Sequence, residues 1–171
     1  MSTKDRGQNQ QSLSEIPSIE SFKIHIAVSD WNSEITHALL DGAKSTLSQL
    51  GASQDQMNIV HVPGTFELPV AAKSLLTCKN ADAVICLGCV IKGETEHDMF
   101  INQSVATALN QLAIMSGKPI TFGVLTVNNL QQAKDRAGGK YGNKGIEAAI
   151  TAAKMVHLHK DLEKPGGKIG F

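Results

Sequence analysis

Gly88-Cys89-Val90-Ile91-Lys92-Gly93-Glu94-Thr95-Glu96-His97-Asp98-Met99-Phe100 closes an apolar run that begins at Ala83, and its reading sets the fold. Ala83–Ile91 is apolar throughout, as a strand covered on both faces reads. It passes into a Gly-centred turn bearing Lys92, Glu94, Thr95 and Glu96, and then reaches His97 at the start of what reads as a helix. Open α/β sheets place their chemistry beyond the carboxyl ends of such strands. A histidine there moves protons near neutral pH. Backbone N–H groups of the turn, with a helix N-terminus behind them, can hold an anion. The stretch points to an anion and to acid–base chemistry, and leaves the substrate open.

On either side, strand and helix patterns alternate. Phe22–Ser29 suits a first strand, and a helix follows Asp30-Trp31-Asn32-Ser33-Glu34, with Asn32 or Ser33 as its cap, running to about Leu50 before Gly51. Met57–Val62 is a second strand broken by Pro63-Gly64-Thr65, and a helix runs from about Glu67 to Leu76. After the central strand, a helix spans about Asp98 to Met115, Ile120–Val127 is a fourth strand, and a short helix covers about Leu130–Arg136. A Gly-rich loop, Ala137–Gly145, precedes a last helix from Ile146 to about Leu158. The alternation predicts a three-layer α/β/α sandwich on a four-stranded parallel sheet, flavodoxin-like in architecture. Right-handed crossovers put every strand-to-helix turn at one end of the sheet. The turns at Trp31, Thr65–Glu67, Gly93–His97 and after Val127 are therefore expected to converge. Residues 1–20 read as a flexible arm, 21–159 as one domain and 160–171 as a tail.

Composition narrows the function. The 171 residues carry 16 acidic and 16 basic side chains, so no general attraction to nucleic acid or anionic membrane is expected. No apolar run reaches the roughly 20 residues that span a bilayer. Met1–Glu15 lacks the apolar stretch of a secretory signal, and a cytoplasmic protein is expected. Cys78, Cys86 and Cys89 are an odd number and no disulfide framework. Cys86 and Cys89 have C-x-x-C spacing, but inside a strand residues three apart face opposite ways. They are read as packed, reduced thiols.

The remaining site candidates each have a bland reading. His97 either makes a local hydrogen bond at a helix start or serves the anion turn as a proton carrier. His25 and His61 lie in strands and read as packed or internally bonded, His37 as a helix-face residue, and His157 and His159 as solvated residues favoured by the helix dipole. Arg136 either complements the end of its helix or grips a phosphate or carboxylate, and Lys144 is similar. The Gly-rich loop lacks a GK[ST] ending and follows no strand, so it is no Walker-type cradle. Glu67 either favours a helix N-terminus or accepts hydrogen bonds from a polyol. Trp31 and Phe66 either pack at the core edge or stack on a planar heterocycle.

Trp31-Asn32, Gly64-Thr65-Phe66-Glu67-Leu68-Pro69, Gly88 to His97, Phe122-Gly123-Val124-Leu125-Thr126, and Asp135-Arg136-Ala137-Gly138 with Gly142-Asn143-Lys144-Gly145 together resemble the lumazine synthase family, from about Phe22 to about Leu158. The resemblance implies the penultimate step of riboflavin biosynthesis. In it, 5-amino-6-(D-ribitylamino)uracil condenses with 3,4-dihydroxy-2-butanone 4-phosphate to 6,7-dimethyl-8-ribityllumazine, releasing phosphate and water. It implies that Trp31 stacks on the pyrimidine and that Thr65, Phe66 and Glu67 bind ring and ribityl chain. Cys89, Val90 and Ile91 would hold the pyrimidine edge by backbone, with the Cys89 thiol dispensable. Glu94 and Thr95 fall on the phosphate turn, Glu94 using its backbone while its side chain turns away, and Arg136 partners that phosphate. His97 aligns with the proton-transfer histidine. Phe122, Arg136 and Lys144 match residues that reach the site from a neighbouring subunit.

By the same resemblance no metal or organic cofactor is implied. The protein would be a homopentamer, and the compact Gly138–Gly145 loop favours an icosahedral shell, with a functional link to riboflavin synthase. The segment before Phe22 is expected to join a neighbour's sheet. Two rivals are an archaeal-type riboflavin synthase, against which the Glu94-Thr95 and Arg136 phosphate set argues, and a non-catalytic flavin-binding or shell protein, in which His97, Arg136 and Glu67 would be free to vary.

Overall fold

β1 (Ile24–Ser29) is buried at every residue because it lies inside a four-stranded sheet of order β2-β1-β3-β4. In the computed structural model, which describes residues 13–163, its neighbours are β2 (Ile59–Val62) and β3 (Ala83–Ile91), with β4 (Ile120–Val127) beyond β3. All three pairings are parallel, with Ile26 opposite Ile59 on one side and Ile85 on the other. β1 leads outward to β2, and the chain then returns to place β3 on the opposite side of β1. The order therefore reverses between β1 and β3, where open sheets form a crevice at their carboxyl ends.

Helices cover both faces. α1 (Ser33–Gln49) buries Ile35, Leu39, Ala43 and Leu47, four residues apart along one stripe. It packs on the same side as α5 (Lys144–Leu162), whose inner face is small: Ala148, Ala149, Ala152, Ala153 and Val156. The two helices meet so closely that a Cβ on Gly145 would collide with the Leu39 carbonyl, so this position admits glycine alone. Asn143 locks the crossing. Its side chain accepts from Gly145 N at 2.8 Å to cap α5 and donates to the Ala38 carbonyl of α1 at 2.8 Å. On the other face, α2 (Leu68–Cys78) and α3 (His97–Ser116) cover Ala27, Val84, Cys86 and Val124. The three-layer α/β/α sandwich expected from the sequence is the fold.

Several boundaries differ from expectation. Residues 13–20, read as part of a flexible arm, are packed: Ile19 is fully buried, and its N–H donates to the Leu50 carbonyl at 2.9 Å, sealing the end of α1. Residues 1–12 of that arm and 164–171 of the expected tail lie outside the described residues. The Gly-rich loop holds an antiparallel pair, β5 (Ala137–Gly139) with β6 (Gly142–Asn143), after α4 (Leu130–Lys134). α5 continues to Leu162, through part of the expected tail. His157 is not simply solvated. Its ring stands edge-on to Phe22 at 5.0 Å, and its Nε2 lies 3.2 Å from the Pro17 carbonyl.

Candidate active site

The carboxyl ends of β1, β2 and β3 each run into a turn, and the three turns enclose a cleft of about 260 Å³. Trp31 and Asn32 contribute from the β1–α1 turn, Thr65 and Phe66 from the turn after β2, and Cys89, Val90 and Ile91 from the end of β3. Gly93, Thr95, His97, Asp98 and Ile101 close it from the β3–α3 turn and the first turns of α3. Eight residues singled out from sequence thus share one cavity. The turn after β4 does not line it.

Backbone bonds hold the walls in place. Asp30 N donates to Val62 O at 2.8 Å and Trp31 N to Pro63 O at 3.0 Å, tying the β1–α1 turn to the end of β2. Asn32, expected along with Ser33 as a candidate cap for α1, holds the N-cap position, its carbonyl accepting from Ile35 N and Thr36 N, but gives its side chain another part. It has φ 59 in the left-handed region and no side-chain cap bond; its Nδ2 instead donates to the Cys89 carbonyl at 2.9 Å. Asparagine is among the few residues that tolerate this conformation, which is the signal available in the sequence. Gly64 is squeezed between the walls: a Cβ there would stand 3.0 Å from Trp31 Cε3 and 3.1 Å from Glu67 Oε2. Glu67 Oε2 accepts from Gly64 N at 3.0 Å, which is the local role weighed for it, and Glu67 does not itself line the cleft.

The cavity offers flat apolar faces beside polar donors. Trp31 is 65% and Phe66 59% exposed, far more than core aromatics tolerate, and both face a common space. His97 opens α3 and is exposed, and no side chain caps that 20-residue helix. Its first N–H groups have no intrahelical partner, and the helix dipole favours negative charge there. Glu94 is exposed with its side chain outside the cleft. Cys86 and Cys89 are buried on opposite faces, as expected of a strand; burial pushes Cys86 up to about 12 and Cys89 up to about 11. Neither thiol is a nucleophile near neutral pH.

Phe122, Arg136 and Lys144 stand apart from the cleft. They line a groove of about 640 Å³ along β4 and α5, with Gly123, Glu147 and Thr151, and no residue lines both spaces. Arg136 Nη1 donates to the Gln132 carbonyl at 3.0 Å, and its guanidinium lies 4.9 Å from the Tyr141 ring centroid. Lys144 Nζ bonds Glu147 at 2.7 Å. Phe122, on the edge strand, is 44% exposed.

The family model for 6,7-dimethyl-8-ribityllumazine synthase matches residues 21–160. Among curated relatives, the 6,7-dimethyl-8-ribityllumazine synthase of Cytophaga hutchinsonii is 48% identical over 91% of this chain and 98% of its own. The enzyme of the same name from Parabacteroides distasonis is 42% identical over 92% and 99%, and that from Porphyromonas gingivalis 46% over 85% and 90%.

Proposed function

Because the chain belongs to the 6,7-dimethyl-8-ribityllumazine synthase family, and is thus a transferase of riboflavin biosynthesis, we propose that the cleft at the β1–β3 switch point is where its condensation occurs. The enzyme joins 5-amino-6-(D-ribitylamino)uracil to 3,4-dihydroxy-2-butanone 4-phosphate. The observation that carries the site is the enclosure of Trp31, Phe66, Thr95 and His97 around one cavity.

Trp31 and Phe66 offer the faces on which the pyrimidine stacks, and the Cys89–Ile91 backbone offers its edge hydrogen-bonding partners. Thr65 and Glu67 serve the ribityl chain. The Glu94-Thr95 turn and the uncapped start of α3 receive the phosphate. The pyrimidine amine attacks the ketone and water leaves to give an imine; phosphate is then eliminated, and ring closure expels a second water. Both substrates bring their own reactivity, so holding them together supplies much of the acceleration. His97, at the cleft wall, carries protons between these steps.

Arg136, Lys144 and Phe122 complete the site from a neighbouring chain. Their separation from the cleft in one chain favours this reading. So does α3, which buries only Val105 and Leu109 and leaves Met99, Phe100, Ile114 and Met115 exposed, a face that calls for a partner. The assembly is a homopentamer, and the tight β5–β6 pair suits a closed shell of pentamers, with a working link to riboflavin synthase. The open edge of β2 suits the part of a neighbour's segment before Phe22 that precedes Leu13, since residues 13–20 pack on their own chain. Among the described residues no helix is long and apolar enough to cross a membrane, and we assign the enzyme to the cytoplasm.

The test mixes the two substrates with full-length protein and follows lumazine absorbance above the uncatalysed rate. His97→Ala should cost about a hundredfold, the lower range for a positioned acid–base group. Arg136→Ala should raise KM for the phosphate substrate. Refolding the two variants together at equal amounts should restore about one site in four, because a ring of head-to-tail contacts pairs an intact His97 with an intact Arg136 by chance. Recovery absent from properly assembled mixtures would place both groups in one chain's site instead.

A further inference from the structure

Asp30, His37 and His61 form a second cluster that the condensation does not use. Each offers one ligand atom, and these atoms all lie within 4.8 Å of one another. Asp30 directly follows β1, His61 lies on the edge strand β2, and His37 stands in the second turn of α1. The first two are in contact already, His61 Nδ1 lying 2.8 Å from Asp30 Oδ1. The rings of His37 and His61 meet edge to face at 5.9 Å. None of the three lines the cleft or the β4–α5 groove.

We infer that Asp30, His37 and His61 form a binding site for a divalent transition-metal ion, with Zn²⁺ the best match. Two imidazoles and one carboxylate are the donor set that suits Zn²⁺ and Ni²⁺, whereas Mg²⁺ and Ca²⁺ call for oxygen alone. Three protein ligands leave a fourth position for water, as open zinc sites do. A tetrahedral ion with bonds of about 2.0–2.1 Å sets its ligand atoms about 3.4 Å apart. The Asp30–His61 pair is already that close, and the exposed His37 ring closes the remainder by side-chain rotation.

The backbone beneath the cluster is fixed. The bonds Asp30 N to Val62 O and Trp31 N to Pro63 O hold the carboxylate against the end of β2, and Val28 and His61 are register partners. His37 is carried by α1, whose core stripe is buried. Only side chains move when the ion enters, so little ordering cost opposes binding. All three ligands are exposed in the single chain, and their side chains rather than the backbone edge of β2 bind the ion.

Trp31, the one tryptophan of the chain, follows Asp30 directly and supplies the readout. Full-length protein stripped with chelator is titrated with ZnCl₂ by calorimetry and with NiCl₂ by Trp31 emission. The expected result is one Zn²⁺ per chain and quenching by Ni²⁺. His37→Gln with His61→Gln should weaken both at least tenfold, and so should Asp30→Asn alone. The substituted side chains are exposed, and circular dichroism confirms that each variant folds. Zn²⁺ binding that is absent in the wild type, or unchanged in the double variant and in Asp30→Asn, overturns the site.

Discussion

Gly88 lies in β3 beneath the turn that carries Thr65, Phe66 and Glu67, and alanine there should disturb both fold and cleft. A Cβ at Gly88 would stand 2.7 Å from Thr65 Oγ1, 3.1 Å from its Cγ2 and 3.2 Å from Leu68 Cδ1. Thr65 is only 4% exposed, and its β-branched side chain has few rotamers to escape into. Its turn is also held, by Glu67 N to Gly64 O and by Glu67 Oε2 on Gly64 N. The turn must lift off the strand by several tenths of an ångström, and overpacking of this kind costs about 1–3 kcal/mol. We expect about 2 kcal/mol for Gly88→Ala.

Thr65→Ala removes both of the closer atoms and costs about 1 kcal/mol for the lost methyl. In that background Gly88→Ala should cost under about 1 kcal/mol, since Leu68 Cδ1 is a terminal methyl that can rotate away. Urea unfolding of the four full-length proteins at one matched concentration measures the cycle, with the slope m checked for constancy. An equal cost of Gly88→Ala in both backgrounds, within about 0.5 kcal/mol, would refute the collision with Thr65 as its cause.

Four further outcomes are expected. Gly145→Ala drives a methyl into the Leu39 carbonyl, backbone against side chain with nothing free to rotate, and should lower stability by about 3 kcal/mol, read as a fall in Tm. Asn32→Ala loses a hydrogen bond worth about 1 kcal/mol and incurs a left-handed penalty of about 1 kcal/mol more, whereas Asn32→Gly keeps the conformation and should cost less. Iodoacetamide at pH 8 should label Cys78 but neither Cys86 nor Cys89 in folded protein, by mass spectrometry. The Cys86 thiol stays protonated in the fold to about 12 but ionises once unfolded from its usual 9.0. The native state thus binds more protons above pH 9, and stability falls as pH rises through that window, by up to about 1.4 kcal/mol per pH unit from this thiol. Cys86→Ala should flatten the slope in unfolding curves collected from pH 8 to 11.

Strands β3 and β4 were legible to the residue because β3 is a continuous apolar run and β4 a β-branched and apolar one, each with sharp punctuation, Gly117-Lys118-Pro119 before β4 and a polar turn after β3. Segment 13–20 was not. Ile16 and Ile19 sit singly among polar residues with no period to report them, and only the end of α1 at Leu50 gives Ile19 its place. The β5–β6 pair was hidden by glycines, which carry no strand signal, and is framed instead by Tyr141 N to Asp135 O and Lys144 N to Arg136 O. At the site, Trp31, Thr65, Phe66 and Thr95 were readable from their place after strands. Asn32 does stand at the N-cap position the sequence offered, but the turning of its side chain to Cys89 was hidden because a side-chain cap and a left-handed tether look alike in sequence. Arg136 and Lys144 show why one chain's sequence understates geometry: their nearest partners in the fold, Gln132 and Glu147, are local.

The Asn143 lock also sets an order on the making of the protein. Its bond to Ala38 spans 105 residues, and the space it fills beside Gly42 belongs to helix α1, near the beginning of the chain. The chain is made from its N-terminus, so α1 and the first strands are produced long before the piece that covers them. Until residues 144–162 emerge from the ribosome, the face of α1 that receives α5 stays bare to the crowded surroundings. The nascent chain exposes that face to sticking and to chaperone capture during the interval, and the docking of α5 behind Asn143 ends it.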